Sequence, residues 1–317
     1  MRVMLAYDDS AGARTARDLV ANMGLPAGST ITLATVLQPV SDIFGAPDFQ
    51  ASGPAEAAAI LIADLQEMLT DASAPFRPRF RVDQRILRGR PAAAMVAEAG
   101  SIHPDLMVTG SRGHGPFASV LLGSVSTELV DHAPCPVLVA RRPRLQRLVL
   151  GVDGSDAARH AVELMRAWPF LAALSVVVTS VAPNETAWAS TVGPALVGEW
   201  PVAIDELNRE ALALARQNAA DAARQLAEAG VKVTVDVRCG DPADQLIGAA
   251  EAHGADLIVI GSRGLGTWSR LVLGSVAHKV VQHTRQSVLV TRLAPQPATA
   301  MVSDAAVDPA RNVLAQT

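Results

Sequence analysis

Gly110-Ser-Arg-Gly113-His-Gly-Pro-Phe-Ala-Ser-Val-Leu-Leu-Gly123-Ser124-Val125 and Gly261-Ser-Arg-Gly264-Leu-Gly-Thr-Trp-Ser-Arg270-Leu-Val-Leu-Gly274-Ser275-Val276 carry one spacing: a glycine, two residues, a glycine, nine residues, then Gly-Ser. In each copy the first glycine closes a short apolar run, Leu106-Met-Val-Thr109 or Leu257-Ile-Val-Ile260. A glycine-rich loop after a buried strand brings backbone amides close to phosphate. Two copies predict two sites of nucleotide size.

The duplication extends outward. Gly89-Arg-Pro91 matches Gly240-Asp-Pro242 at the same offset of 151 residues, while Asp8-Asp-Ser10 matches Asp153-Gly-Ser155, and Val36 matches Val181, at 145. The second half therefore carries six extra residues between its second strand and Gly240. Self-similarity on this scale predicts tandem domains rather than a solenoid. Each half alternates strand and helix. The predicted strands are 3–7, 30–37, 79–87, 105–109 and 136–141, then 148–152, 174–181, 231–238, 256–260 and 287–292. The predicted helices are 11–23, 55–72, 91–100 and 124–132, then 156–167, 203–229, 242–253 and 275–283.

Strands alternating with helices give an α/β fold with a parallel sheet covered on both faces, doubly wound by right-handed crossovers. The expected domains are 1–142 and 147–293. Arg141-Arg-Pro-Arg-Leu-Gln-Arg147 is expected to link them, and 294–317 to form a flexible tail.

Composition bounds the function. The chain of 317 residues is 50% hydrophobic and only 3% aromatic, so its cores must be built from aliphatic side chains. A net charge of −4 argues against nucleic-acid or anionic-membrane partners. Cys135 and Cys239 are far apart and form no metal or redox motif, which fits two buried, reduced thiols in a cytoplasmic protein. The opening residues, broken by Asp8 and Asp9, do not read as a signal peptide.

In an open doubly wound sheet, ligands sit beyond the carboxyl ends of the strands, where strands 1 and 4 flank the switch point. Asp8 and Asp153 follow strand 1; the glycine loop follows strand 4. Gly110 and Gly113 are expected to let backbone approach an anion. Ser124 and Ser275 are placed to cap the fourth helix, whose amides attract phosphate. Asp8 and Asp153 suit a ribose hydroxyl or an adenine amino group, or cap a helix. Asp9, Ser10 and Ser155 read as turn and cap residues. Arg112 and Arg263 read equally as phosphate clamps or solvated loop charges. Gly113-His-Gly115-Pro-Phe-Ala118 fits a dinucleotide fingerprint but follows the wrong strand, and no Gly-x4-Gly-Lys-Ser/Thr segment exists. The seven histidines lack zinc spacing, and no nucleophile–base pair or close carboxylate pair stands out.

Together, Asp-x-Ser, Gly-x-Pro, the Gly-x2-Gly-x9-Gly-Ser loop and Pro134-Cys-Pro-Val-Leu-Val139 resemble the universal stress protein family in its tandem form, over about residues 1–293. The resemblance implies a Rossmann- or flavodoxin-like fold with five parallel strands per domain in the order 3-2-1-4-5. It also implies ATP, with Mg2+ as accompanying ion, held by the loop, the strand-1 Asp and a strand-2 Val. The matching positions are Asp8, Val36, Gly110, Gly113, Gly123, Ser124, Val125 and Ser126, then Asp153, Val181, Gly261, Gly264, Gly274, Ser275 and Val276. Arg270 carries a basic residue often seen in this loop, where the first half has Ser119. Ser126 offers a hydroxyl where Ala277 offers none, and Tyr7 is bulky where Val152 is small, so the sites are expected to be unequal. The expected role is an ATP-binding stress regulator with little turnover, arranged as a homodimer or an intramolecular domain pair; the alternatives are a slow ATP hydrolase and a nucleotide-free scaffold dimerising through its last strands.

Overall fold

The computed structural model describes residues 1–38, 54–113, 122–183, 201–264 and 273–292. The first half runs β1 (Arg2–Ala6), α1 (Ala11–Asn22), β2 (Thr30–Leu37), α2 (Pro54–Ser73), β3 (Arg81–Arg88), α3 (Pro91–Ile102), β4 (Leu106–Gly110), α4 (Ser124–His132) and β5 (Val137–Ala140). The second runs β6 (Arg147–Gly151), α5 (Asp156–Ala167), a short α6 (Pro169–Ala172), β7 (Ser175–Ala182), α7 (Pro201–Glu228), β8 (Val233–Cys239), α8 (Pro242–Ala252), β9 (Leu257–Gly261), α9 (Ser275–His283) and β10 (Ser287–Thr291). The extra length of the second half falls in α7, of 28 residues against 20 in α2. Arg270, the tail 294–317 and most of the decoy Gly113–Ala118 lie outside the described residues.

All strands belong to one ten-stranded sheet, ordered β3-β2-β1-β4-β5-β10-β9-β6-β7-β8. Each half has the expected order 3-2-1-4-5, and within each half every pairing is parallel. The central strands are apolar throughout because helices cover both faces: β4, β5 and β10 are buried at every residue. One face packs on α1, α2, α5 and α7 through residues such as Leu19, Leu69, Val162 and Leu226. The other packs on α3, α4, α8 and α9 through Met95, Leu129, Leu246 and Val280.

The halves join where β5 meets β10 antiparallel, with Val139 opposite Val288, Leu138 opposite Leu289, and Val137 opposite Val290. Leu138 and Leu289 are each other's counterparts in the duplication, so a pseudo-two-fold axis passes through that pair. The last-strand edges, expected to be free for a second copy, are thus consumed within the chain: an unpaired edge is satisfied by its own repeat. Arg141, expected in a linker, is instead half-buried, and its guanidinium donates to Val281 O at 2.6 Å and Gln286 O at 3.1 Å. Its counterpart Arg292 reaches back to Val130 O. Each arginine thereby satisfies a carbonyl in the last turn of the other half's final helix.

The cysteines differ from expectation. Cys135 is buried, and burial pushes its thiol up to about 12, but Cys239 is exposed at the end of β8, an outer strand of the sheet. A maleimide reagent at pH 8 should label Cys239 rapidly and Cys135 only after denaturation; equal rates would contradict this burial. Leu289→Ala at the fully buried seam should cost about 2–5 kcal/mol in denaturant unfolding.

Candidate functional site

The Asp-x-Ser turn fixes the floor of each site. Asp8 Oδ1 accepts the Ser10 N–H at 3.1 Å, and Asp153 Oδ1 accepts the Ser155 N–H at 3.0 Å. The residue between is forced to positive φ, +59° at Asp9 and +78° at Gly154. Arg14, then Tyr7, hold the Asp9 carboxyl down at about 2. The serines, not Asp8 or Asp153, cap α1 and α5: each Oγ accepts from the third residue on, Ala13 or Ala158, at 3.2 Å. Each Oγ also donates to the glycine loop, Ser10 to Arg112 O at 3.1 Å and Ser155 to Arg263 O at 3.5 Å. One residue type thus starts a helix and ties the two loops of the switch point together.

The motif glycines divide the work differently from expectation. Gly110 is pressed against the start of α1. A Cβ there would stand 2.4 Å from the Gly12 carbonyl carbon, so its role is to let β4 pass against α1; Gly261 passes Ala157 in the same way. Gly12, which the motif reading missed, is the other half of this contact, since a Cβ on it would lie 2.2 Å from Arg112 O. Gly113 and Gly264 instead approach the aspartates that follow β1 and β6. A side chain there would meet the Asp8 or Asp153 Oδ2 at 2.8 or 2.7 Å. The second carboxylate oxygen therefore faces bare loop backbone.

Gly123 and Gly274 complete the loop by donating their N–H to Ser111 O and Ser262 O at 2.7 and 2.8 Å. They, and not Ser124 and Ser275, are the N-caps of α4 and α9, and neither end has a side-chain cap. The first amides of these helices lie at the loop without the hydroxyl that serves α1 and α5. A helix start of this kind attracts an anion. Ser124 and Ser275 are exposed in the first turn, with Val125 and Val276 half-buried beside them. Ser126 is buried, and its hydroxyl donates to Gly110 O at 2.6 Å, pinning the end of β4. The counterpart Ala277 is buried and has no hydroxyl for such a bond.

In the second half these groups line a cleft of about 610 Å³. Asp153, Val181, Gly261, Arg263, Gly264, Gly274, Ser275 and Val276 all line it, so every described site residue expected there is brought together. Its walls also include Pro242 of the Gly-x-Pro motif, and Gly151, Thr179, Leu246 and Ile260, which no site motif contains. Thr179 lies fully buried, and among the described residues its Oγ1 has no hydrogen-bond partner. Such a group costs about 1–3 kcal/mol. A polar residue inside the run Val176-Val-Val-Thr179 was the available signal.

In the first half Asp8, Arg112, Gly113, Gly123, Ser124 and Val125 occupy the matching places around the β1 and β4 ends, and Val36 is half-buried on β2. Tyr7 packs on the α1–α2 side instead, where its hydroxyl donates to Asp9 at 2.9 Å and it lines a separate pocket with Arg17 and Asp64. Because the two halves pair antiparallel, their strand ends, and hence their two loops, face opposite edges of the sheet.

A doubled, doubly wound α/β sheet with an uncapped helix start facing an aspartate at each switch point defines the class. The model of the Universal stress protein family matches residues 1–141 and again 144–292, and the chain belongs to that family in its tandem form. It is similar to a universal stress protein of Mycobacterium tuberculosis, 36% identical over 194 residues, covering 59% of this chain and 61% of that protein. The alignment thus spans about three fifths of that relative. A universal stress protein of Thermus aquaticus is 34% identical over 139 residues, 44% of this chain and 97% of its own. The crystal structure of a universal stress protein from Archaeoglobus fulgidus shares the fold, with a TM-score of 0.63 at 17% identity, covering 92% of this chain and 98% of that one. Among the described residues, no helix is long and apolar enough to cross a membrane.

Gly110→Ala should destabilise the chain by at least about 1–3 kcal/mol, since its obstacle is backbone. Gly113→Ala, whose obstacle is a movable carboxylate, should cost clearly less in the same denaturant titration.

Proposed function

We propose that the chain binds ATP at its glycine loops and acts as a stress-response regulator with little turnover. The observation that carries this reading is the second-half cleft, in which an uncapped helix start, a glycine loop and Asp153 converge. The residues present suit the ligand. The bare backbone of Gly264 and the first amides of α9, from Ser275 and Val276, are donors for an anion. Arg263 adds positive charge at the same end. Asp153, ionised, accepts only, which matches a ribose hydroxyl better than a phosphate. Val181, Leu246 and Ile260 give an apolar wall suited to a base. The phosphates supply the charge that the loop neutralises; the protein holds and orients them.

Membership of the family supports the same reading for the first half, where Asp8 and Gly113 repeat the contact of Asp153 and Gly264. Calorimetric titration of nucleotide-stripped protein with ATP should give saturable binding. Gly264→Ala, which crowds the Asp153 carboxylate, should weaken it by roughly tenfold, equivalent to ~1.4 kcal/mol. Absence of heat at millimolar ATP would refute the reading. ADP release that depends on Mg2+ and is lost in Asp153→Ala would convert the regulator into a slow hydrolase.

A further inference from the structure

We propose that Thr179 reads the base edge of the nucleotide in the second half and makes that cleft the selective one of the two. The inference rests on the adenine-nucleotide reading of the cleft and adds to it a residue that the loop motif does not contain.

Three observations converge on Thr179. First, its side chain is fully buried at the wall of the cleft, and its hydroxyl has no partner among the described residues. Two threonines buried in other strands do find one: Thr109 Oγ1 donates to Gly110 O at 3.2 Å and Thr291 Oγ1 to Ile260 O at 3.4 Å. Buried polar groups in native proteins are paired as a rule, and an exception calls for a specific explanation.

Second, its position is the base end. The phosphate-suited loop follows β9, and β7 lies two strands away across β6, about 10 Å at ordinary strand spacing. Thr179 and Val181 share one face of β7, and both line the cleft.

Third, the two halves differ here and the sheet register makes the comparison direct. Gly151 pairs with Thr179 in the second half as Ala6 pairs with Ala34 in the first. The methyl of Ala6 gives way to the bare backbone of Gly151, and the methyl of Ala34 to a threonine side chain that carries a hydroxyl as well as a methyl. The bare Gly151 leaves room for Leu246, whose terminal methyls lie 3.1 Å from where a Cβ would stand. A rotamer change of Leu246 is the movement that admits a ring edge to the hydroxyl. A threonine hydroxyl both donates and accepts, so it meets the adenine amino group as acceptor. The first half offers only Ala34 at this place.

The test is calorimetry and thermal melting on the full chain, with Thr179→Val, Thr179→Ser and Ala34→Val as variants. ATP and purine riboside triphosphate, which lacks the 6-amino group, are the probes. Thr179→Val keeps shape and strand propensity while removing the hydroxyl. It should raise the melting temperature of the nucleotide-free protein and weaken the tighter ATP step by roughly three- to tenfold. Thr179→Ser should retain tight binding, and Ala34→Val should leave that step unchanged. Purine riboside triphosphate should bind wild type more weakly than ATP does, with no further loss in Thr179→Val. A Thr179→Val protein that melts higher yet binds ATP as wild type does overturns the proposal, as does equal weakening of both probes. Wild type that takes up no ATP at all refutes instead the reading of the cleft on which the proposal stands.

Discussion

The close approach of the β1 turn to the β4 loop governs this structure. Ser10 and Ser155 each start a helix with one lone pair and hold the opposing loop with the hydroxyl proton. Gly12 and Gly110 remove the side chains that would hold the backbones apart. With the loops drawn together, an aspartate oxygen faces bare glycine backbone across the switch point. Widening that approach by one methyl group would lift β4 off α1 and separate the carboxylate from the helix start it faces.

The second constraint is the seam. A half-sheet ending in β5 would leave an unpaired edge of four buried residues, and its repeat supplies the missing partner. The pairing is self-complementary about Leu138 and Leu289, as in an isologous dimer, but both partners belong to one chain. Arg141 and Arg292 cross the seam in opposite senses and finish each other's last helices. Covalent tandem linkage frees the two sites from having to be identical, since each half mutates alone. The differences at Gly151/Ala6 and Thr179/Ala34 are of that kind.

Much of the fold was readable from residues alone, because each half repeats strongly periodic segments bounded by Gly-x-Pro and Asp-x-Ser. Strand order followed from the family resemblance. The strand and helix boundaries shift by one or two residues, as where β1 ends at Ala6 and leaves Asp8 in the turn. The site was half legible. Asp153, Gly264 and Gly274 could be named from spacing, but the division of labour among the glycines could not. Gly110 and Gly113 look alike in a motif, and only the neighbours of their missing side chains tell packing on α1 from approach to Asp8. Ser124 and Ser275 looked like caps because serine favours that position, yet each is the first residue of its helix and the cap falls one residue earlier, on a glycine.

What the sequence determined by itself was the repeated unit: its alternating elements, its acidic turn, its glycine loop and its family. These are local or periodic signals, and each is carried by residues close together in the chain. The tertiary structure decided how the two units share one sheet, which cysteine meets solvent, and which side chains wall the cleft. Those outcomes depend on contacts between residues 100 or more apart, such as Ser10 with Arg112 and Arg141 with Val281. Thr179 shows the difference most plainly. In the sequence it is one polar residue in a run of valines; only the register that sets it opposite Gly151, beneath a cleft, leaves its hydroxyl without a partner among the described residues.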